Sequence, residues 1–391
     1  MAEEIFDCFI VGGGLAGLTA AYILAREGQE VLLIERGNYS GSKNMTGGRL
    51  YGHSLEKVIP GVARSAPVER RIVKERLSCE ENGMLSTVEY DSSKVSTPEG
   101  ESYSVMRGKF DKWLAEQAEE QGAMLVYGVR VDDVILRDGK VCGVIAGDEE
   151  MESDLVILAD GVNSLLSHKL GLKQQTRQDQ AVVGVKEVIG LKEETINERF
   201  QVASGEGVAW MFSGCMEGCD GFLYTNKDSV SVGITMQVEN IHKTSYSVPQ
   251  MLEEFKNRPE IQALLSGGSL LEYSAHLIPE GGMDMIPNLY GHGVLVAGDA
   301  AALCANLGFT LRGMDLAVES GRLAAQTAIA AKEKDDYSAE VLSDYQAALE
   351  SSFVIPCIQG AEACRSIVES GAYKEEPLKA FNDIMEKQNI R

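Results

Sequence analysis

Near the start of the sequence, a glycine-rich turn separates an apolar segment from a helix-forming one. Residues 5–11 are apolar except for Asp7 and predict a short strand buried on both faces. GGGLAG follows at 12–17, and an Ala- and Leu-rich helix is predicted from there to about Glu27. Gly28 is placed where a helix ends, and a second strand, VLLIE at 31–35, closes with an acid. The pattern predicts a βαβ unit of about 30 residues with Gly-x-Gly-x-x-Gly at its first turn.

Each glycine of this turn has a physical role. Gly12 permits a tight turn, Gly14 lacks the Cβ that would block a diphosphate, and Gly17 lets the helix pack close to the strand. The backbone N–H groups at the start of the helix, near Leu15 and Ala16, are unpaired and carry the positive end of the helix dipole. The turn therefore predicts a binding site for the diphosphate of a dinucleotide.

The acid at the end of the second strand indicates which dinucleotide is bound. Glu35 can accept hydrogen bonds from the ribose hydroxyls of adenosine. Because a carboxylate at this position would repel a 2′-phosphate, FAD or NAD is favoured over NADP. The glycine motif alone is a weak indication, but strand, helix, second strand and acid are all present here.

A second buried strand that ends in Gly-Asp lies far downstream, in GVLVAGDAA at 293–301. Asp299, directly after Gly298, can hold a ribityl or ribose hydroxyl. A long helix is predicted from about residue 312 to residue 331. Its N-terminus would direct its dipole at the ring edge of a flavin and stabilise negative charge there.

Two further segments favour FAD over NAD. LVILADG at 155–161 is an apolar strand that ends in Asp160 and Gly161. Arg107 precedes a predicted helix that carries Asp111, and an arginine at that position could reach the coenzyme. Four such elements in this order predict a chain that binds both halves of FAD.

The predicted FAD contacts come from all of these segments and from the glycines that follow them. Gly47 and Gly48 are predicted to let the backbone approach the flavin ring. The full predicted set is Gly12, Gly14, Leu15, Ala16, Gly17, Glu35, Arg36, Gly47, Gly48, Arg49, Arg107, Val131, Asp160, Gly161, Gly298, Asp299, Gly308, Gly313 and Met314. No metal site is predicted.

Together these motifs resemble the flavoproteins of the glutathione-reductase and p-hydroxybenzoate-hydroxylase type. More narrowly, short strings along residues 1–350 resemble FixC-type electron-transfer-flavoprotein–quinone oxidoreductases, and they are far more specific than the glycine motif. These strings are RGN (36–38), KNMTGGRLY (43–51), SAPVER (65–70), FLYTN (222–226), SVPQML (247–252), EYSAH (272–276) and NLGFT (306–310).

The resemblance implies a quinone reductase or electron relay that takes electrons from an electron-transfer flavoprotein. It also implies a small ferredoxin-like partner that carries an iron–sulfur cluster. The sequence has eight cysteines but no Cys-x-x-Cys, in agreement with a cluster on a separate chain. Two features depart from the family, the closely spaced Cys215 and Cys219 and the tail at 351–391.

The predicted fold is α/β, a FAD-binding Rossmann-like domain of the glutathione-reductase and p-hydroxybenzoate-hydroxylase type with an inserted α+β substrate domain. Strand-like alternation marks the inserted segments. The predicted limits are 1–78, 106–178 and 283–350 for the discontinuous FAD-binding domain, 79–105 and 179–282 for the substrate or quinone domain, and 351–391 for a divergent C-terminal tail.

The catalytic candidates are His276 and Tyr273, on the last segment before the chain returns to the FAD-binding domain. A histidine that titrates near neutrality could supply a proton when a quinone or an enone takes a hydride. The structural alternative for His276 is a hydrogen bond to a backbone carbonyl.

Two functional alternatives remain open beside the quinone reductase. One is a geranylgeranyl-reductase-like flavoprotein that reduces C=C bonds of a small unsaturated substrate, although Pro279 falls one position late for that family's Tyr-x-Trp-x-Phe-Pro pattern. The other is a non-catalytic electron-relay subunit of a flavoprotein complex. A flavin disulfide reductase is excluded because residues 42–51 contain no cysteine.

Charge and hydropathy exclude several classes of partner. The 36 Lys and Arg residues against 59 Asp and Glu residues give a formal charge of −23, which repels nucleic-acid phosphates and anionic lipid headgroups. No stretch reaches the roughly 18 apolar residues that a transmembrane helix needs, and the acidic Glu3 and Glu4 are unlike a signal peptide. We expect a cytoplasmic protein, with peripheral contact at the inner face of the cell membrane left open.

Overall fold

The computed structural model describes residues 6–43, 48–81, 83–94, 101–216, 218–308 and 310–369. The strands in chain order are β1 (Phe6–Val11), β2 (Val31–Glu35), β3 (Gly48–Tyr51), β4 (Val68–Glu81), β5 (Met84–Asp91), β6 (Ser102–Val105), β7 (Met124–Tyr127), β8 (Asp133–Arg137), β9 (Lys140–Ala146), β10 (Glu149–Leu158), β11 (Ala181–Gly190), β12 (Glu206–Met216), β13 (Cys219–Thr225), β14 (Ser229–Gln237), β15 (Ser269–Pro279), β16 (Tyr290–Gly291), β17 (Val294–Val296), β18 (Ala305–Asn306) and β19 (Leu311–Arg312). The α-helices are α1 (Leu15–Arg26), α2 (Gly52–Glu56), α3 (Val62–Ser65), α4 (Arg107–Glu120), α5 (Leu165–Lys169), α6 (Glu193–Phe200), α7 (Val248–Asn257), α8 (Pro259–Leu265), α9 (Met314–Lys334), α10 (Ala339–Leu342), α11 (Asp344–Ser351) and α12 (Val354–Glu369).

The predicted βαβ unit forms the centre of the first sheet. The strand order is β16-β17-β10-β1-β2-β7, and β17, β10, β1, β2 and β7 run parallel. Most residues of β1, β2 and the second half of β10 are buried and apolar, as is typical of parallel strands that are covered on both faces. Helix α1 packs against α4 and α9. The carboxyl ends of four of these strands therefore meet at one edge, where ligands bind in sheets of this kind.

Close packing at the first turn requires two of its glycines. Gly12 has a φ of +109°, and a Cβ there would lie 2.3 Å from the carbonyl oxygen of Ala159, at the end of β10. A Cβ on Gly17 would lie 2.1 Å from the carbonyl oxygen of Gly12. Neither contact could accommodate a side chain without moving backbone, so α1 packs against β1 as the sequence predicts.

The second sheet lies over that edge and has the order β15-β11-β14-β13-β12-β4-β6-β3, with β5 paired to β4. Helices α6, α7 and α8 cover its outer face, where Phe200, Leu223 and Phe255 are fully buried. Its inner face carries a smaller apolar cluster that includes Met211 and Phe222. The inner face is directed towards the first sheet and bounds the space between the two sheets.

The two inserted segments predicted to form one domain do share this sheet, since β5 and β6 come from the first segment and β11–β15 from the second. The sheet nevertheless begins earlier in the chain, at β3. Strand β4 also runs through the predicted limit at residue 78 without a break, because β5 and β12 pair with it along Lys74–Cys79 and beyond. The predicted limit therefore falls inside a strand.

The C-terminal part of the described chain is helical. Helix α9 begins at Met314, two residues later than predicted, because Leu311 and Arg312 pair with Ala305 and Asn306 in the β18–β19 hairpin. Helices α11 and α12 then pack against α9 and against each other. Within the predicted tail at 351–391, residues up to 369 are described, and most of these form α12.

Candidate functional site

A cavity of about 610 Å³ separates the two sheets. Its floor is formed by the turns at the carboxyl ends of β1, β2, β10 and β17, and its roof is the inner face of the second sheet. The roof includes an apolar cluster of Leu77, Ala209, Met211, Phe222 and Tyr224. Polar side chains of the same sheet also line the cavity, namely Glu75, Arg76, Thr235 and His276. The cavity is thus polar at the turns and apolar under this cluster.

Gly14 and the start of α1 form one end of the cavity. Within the part of the chain that the structure describes, a Cβ built on Gly14 has no atom within 4 Å beyond its chain neighbours, in contrast to Gly12 and Gly17. Gly14 is the residue that precedes α1, and with Leu15 and Ala16 it lines the cavity. The free N–H groups of a helix start are suited to an anion such as a diphosphate.

The carboxylate of Glu35 is held in place at the end of β2. Its Oε2 accepts a hydrogen bond from the backbone N–H of Gly13 at 2.8 Å, and its Oε1 accepts one from Gly37 at 2.6 Å. Because each carboxylate oxygen can accept more than one hydrogen bond, the group can still bind a hydroxyl. Glu35 lines the cavity, as its predicted role requires.

Two half-buried aspartates line the cavity at neighbouring strand ends, Asp160 after β10 and Asp299 after β17. The Oδ1 atom of Asp160 is buried and accepts no hydrogen bond from the described residues. Burial raises the pKa of Asp160 to about 6. Burial also raises the pKa of Asp299, although the charges of Arg107, His276 and Lys173 act in the opposite direction. Of the two groups, Asp160 therefore has a buried acceptor atom without a donor among the described residues.

Lys173 links these two strand ends, and no sequence signal marks it. Its Nζ donates hydrogen bonds to the carbonyl oxygens of Val162 at 3.2 Å and Ala300 at 3.3 Å, beyond β10 and β17 respectively. Burial lowers the pKa of Lys173, while the charges of Asp160 and Asp299 raise it. A motif could not have identified this lysine, because its partners are backbone groups of two distant segments.

Arg107 is the first residue of α4 and lines the cavity. Its Nε and Nη2 atoms each lie 2.7 Å from an oxygen of the buried Asp111. Burial acts to lower the pKa of Arg107, but the charge and hydrogen bonds of Asp111 outweigh it and the net shift is upward. The guanidinium is a fixed charge in the wall rather than a mobile one.

A stack of two arginines and a tyrosine forms another part of the wall. The guanidiniums of Arg49 and Arg312 lie 4.5 and 4.0 Å from the ring centre of Tyr51. Arg49 is paired with Glu75 at 2.6 Å and Arg312 with Asp315 at 2.6 Å. Burial raises the pKa of Tyr51 to about 12, although both guanidiniums act to lower it. Of these residues the sequence predicted only Arg49, because the stack and its counterions come together from three segments that are distant in sequence, at 49–51, 75 and 312–315.

The two catalytic candidates lie on opposite faces of β15. His276 and Ile278 line the cavity, whereas Tyr273 does not and is 48% exposed. Side chains of a strand alternate between its faces, and positions three apart therefore point to opposite sides. The expectation that Tyr273 accompanies His276 at the site is not met. Burial lowers the pKa of His276; Asp299 raises it, and Arg107 and Arg36 lower it further.

Most of the predicted FAD contacts line the cavity. Those that do are Gly12, Gly14, Leu15, Ala16, Glu35, Arg36, Gly48, Arg49, Arg107, Val131, Asp160, Gly161, Gly298, Asp299, Gly313 and Met314. Gly17 acts in packing instead, and Gly47 lies outside the described residues. Gly308 is also not a lining residue: with a φ of +89° and its N–H bonded to Oδ1 of Asn306 at 2.8 Å, it forms the turn of the β18–β19 hairpin.

The part of the chain that the structure describes holds no cluster of three or more His, Cys, Asp or Glu side chains arranged to bind a metal ion. Cys219, one of the closely spaced pair, is buried at the start of β13. None of the described helices is both long and apolar enough to cross a membrane.

The sequence matches the FAD binding domain family over residues 6–214. It is 52% identical to Protein FixC of Escherichia coli O157:H7 over 90% of this chain and 83% of that protein. It is 48% identical to YdiS of Escherichia coli K12, a probable electron transfer flavoprotein-quinone oxidoreductase, over 98% of this chain and 90% of that protein.

Solved structures share the fold at lower identity. A geranylgeranyl bacteriochlorophyll reductase-like protein from Thermoplasma acidophilum superimposes with a TM-score of 0.76 and 23% identity, over 93% of this chain and 88% of that one. The flavin-dependent brominase Bmp2 gives a TM-score of 0.71 with 14% identity, over 98% and 93%. At these identities the likeness shows the predicted FAD-binding fold.

The residues present fit FAD, as the family match requires. Gly14 leaves room beside the start of α1, where a diphosphate would bind. The buried Oδ1 of Asp160 is an acceptor that a coenzyme hydroxyl would satisfy. Glu35 would hold the ribose, and Asp299 would hold a hydroxyl at the opposite strand end.

Replacing Asp160 with asparagine is expected to change how the stability of the FAD-free protein depends on pH. The pKa of Asp160 is raised from 3.8 to about 6 on folding, so its contribution to stability is present at low pH and is lost as pH rises through about 6. The free energy of unfolding of Asp160→Asn, measured with urea, should therefore increase relative to wild type between about pH 4 and pH 6.5 and then level off. A constant difference across this range would contradict the prediction.

Proposed function

Because the chain belongs to the FixC family of FAD-dependent electron-transfer oxidoreductases, we propose that it passes electrons from an electron-transfer flavoprotein to a quinone. Its similarity to YdiS supports both the donor and the acceptor in this proposal. FAD supplies the one- and two-electron redox chemistry. The residues of the chain bind the coenzyme, shape the acceptor site and manage protons. A ferredoxin-like subunit stays a prediction of the resemblance.

The apolar roof of the cavity is the observation that carries the acceptor assignment. Leu77, Met211 and Phe222 project from three adjacent strands and present an apolar surface next to the polar turns. A flat ring with polar groups only at its edges fits a mostly apolar pocket with a few convergent polar groups. A quinone has this distribution of polar and apolar surface.

Quinone reduction also needs protons, since two electrons and two protons convert a quinone to a quinol. His276 is a titratable side chain of β15 that lines the cavity. Its lowered pKa keeps the ring neutral near pH 7. We assign His276 the role of passing a proton between the polar end of the cavity and the acceptor.

Replacing His276 with glutamine is expected to slow reoxidation of the photoreduced protein by a short-chain naphthoquinone about 100-fold, the size of a lost general acid. In the wild type the rate should rise as pH falls through a value below the ordinary histidine pKa, because burial lowers the pKa of His276. His276→Gln should lose this limb of the pH profile. Stopped-flow flavin absorbance measures both effects.

Tyr273→Phe is the matched control because the same strand directs Tyr273 away from the cavity. It should react like the wild type at every pH. Equal pH profiles for His276→Gln and the wild type would remove His276 from the proton path.

The acceptor is tested by photoreducing the purified protein and offering a naphthoquinone, an enoyl compound and an oxidised electron-transfer flavoprotein separately. We expect prompt reoxidation by the quinone and slow or no reoxidation by the enoyl compound. A reduced electron-transfer flavoprotein should also reduce the oxidised protein. Reoxidation by the enoyl compound alone would contradict the proposal in favour of C=C reduction. Exchange with the flavoprotein but not with the quinone would favour an electron relay.

A further inference from the structure

A buried carboxylate just beyond β15 joins three separate segments. Glu280 is 4% exposed. Its Oε1 accepts hydrogen bonds from Nε2 of Gln237 at 3.0 Å, at the end of β14, and from Nδ2 of Asn306 at 2.8 Å, in β18. The same oxygen lies 3.4 Å from Nη1 of Arg365 on α12. One atom therefore connects the roof sheet, the β18–β19 hairpin and the C-terminal helix.

The hairpin at the centre of these contacts is part of the cavity wall. Leu307, Thr310 and Leu311 line the cavity, and the N–H of Leu307 donates to the carbonyl oxygen of Thr310 at 3.0 Å. The side chain of Asn306 is held at both ends, because its Oδ1 accepts from the N–H of Gly308 at 2.8 Å while its Nδ2 donates to Glu280. The position of Glu280 therefore fixes the base of the hairpin.

The residues after Glu280 are also held between α12 and the cavity wall. Gly281 has a φ of +81°, and a Cβ there would lie 2.3 Å from the carbonyl oxygen of Cys304, which lines the cavity. Two residues later, the N–H of Met283 donates to Oε1 of Glu362 on α12 at 2.9 Å. Helix α12 thus contacts this segment at two points, through Arg365 and Glu362.

We propose that Glu280 is a positioning residue for the acceptor, which holds the β18–β19 hairpin through Asn306 and couples its position to α12 through Arg365. The naming of the acceptor as a quinone rests on the proposed function, whereas the coupling of hairpin to helix does not. A merely structural carboxylate would affect stability throughout the chain. A positioning carboxylate acts on the hairpin and on acceptor binding first.

Glu280→Leu tests the proposal because leucine leaves the amides of Gln237 and Asn306 without their acceptor. We expect the KM for a short-chain naphthoquinone to rise about 10-fold, which is the size of effect that the loss of one hydrogen bond typically has. The kcat should stay within about twofold of the wild-type value. Hydrogen exchange measured by mass spectrometry should accelerate in the peptide that spans 305–312. Glu280→Gln retains an acceptor oxygen and should restore a KM within about threefold of wild type.

Arg365→Met should raise the KM less, by about two- to threefold, because the arginine is 34% exposed and its ion pair is weak. Arg322→Met is the matched control: it removes a helical ion pair with Glu319 at 2.7 Å and lies outside the cavity wall. It should change neither the KM nor the exchange of 305–312.

Three results would overturn the positioning role. They are unchanged exchange at 305–312 in Glu280→Leu, exchange that rises equally in every peptide, and a KM for Glu280→Gln as high as that for Glu280→Leu. If the wild type does not reduce the naphthoquinone, the proposed function fails, but the exchange measurements still decide the coupling between α12 and the hairpin.

Discussion

Replacement of Gly14 by valine is expected to weaken FAD binding about 100-fold and to leave the coenzyme-free fold intact. Apart from its chain neighbours, no atom of the described residues lies within 4 Å of a Cβ at this position. The side chain instead enters the cavity beside the start of α1, where the diphosphate of FAD would bind. Loss of contacts worth about 3 kcal/mol would weaken FAD binding by about 100-fold. Flavin fluorescence titration of the coenzyme-free protein measures the affinity.

Gly17→Val is the matched control in the same turn. Its Cβ would lie 2.1 Å from the carbonyl oxygen of Gly12, so it should lower the free energy of unfolding by at least about 3 kcal/mol with no coenzyme present. Gly14→Val should leave the melting temperature of the FAD-free protein within a few degrees of wild type. A Gly14→Val protein that binds FAD as tightly as the wild type, or one that unfolds as readily as Gly17→Val, would contradict this division of roles.

Replacement of Arg70 by methionine is expected to lower the free energy of unfolding by about 3–5 kcal/mol. The arginine is 1% exposed in the second sheet. Its guanidinium donates to the carbonyl oxygens of Asn226 at 2.5 Å, Glu206 at 2.8 Å and Lys227 at 3.1 Å, and to Oδ1 of Asn197 at 2.6 Å. Methionine fills much of the volume but removes the donor from all four acceptors, of which Asn226 is fully buried. Urea denaturation measures the loss.

The neighbouring Arg71 is the control for charge and strand position. Its side chain is 28% exposed and makes one ion pair with Glu206, at 3.2 Å. Arg71→Met should therefore cost less than about 1 kcal/mol. Similar losses for Arg70→Met and Arg71→Met would show that the buried hydrogen bonds are not what stabilises this part of the sheet.

Local patterns predicted the segments whose structure depends on near neighbours. Strand β2 spans Val31–Glu35 as predicted, and α1 ends at Arg26, one residue before the predicted end. The helix predicted from residue 312 begins instead at Met314, because pairing with β18 keeps Leu311 and Arg312 extended. The predicted start of the helix was wrong because residues 311 and 312 pair with another segment of the chain, and helical periodicity does not reveal such a pairing.

The site was predictable where its residues lie in the turns that follow strands. The glycine turn, Glu35, Asp160 and Asp299 were found for this reason. Lys173 was not, since its partners are backbone carbonyls of two distant loops. The grouping of Tyr273 with His276 relied on closeness in sequence, although the alternation of β15 places them on opposite faces.

The stack of Arg49, Tyr51 and Arg312 brings its own counterions. Glu75 and Asp315 neutralise the two guanidiniums within hydrogen-bond distance, so the wall has rigid planar groups but almost no net field. A ligand with a carboxylate would gain little electrostatic attraction there and would still lose the hydration of its charge. An uncharged ligand does not have this desolvation cost. This side of the cavity therefore discriminates between ligands by their shape and planarity rather than by their charge.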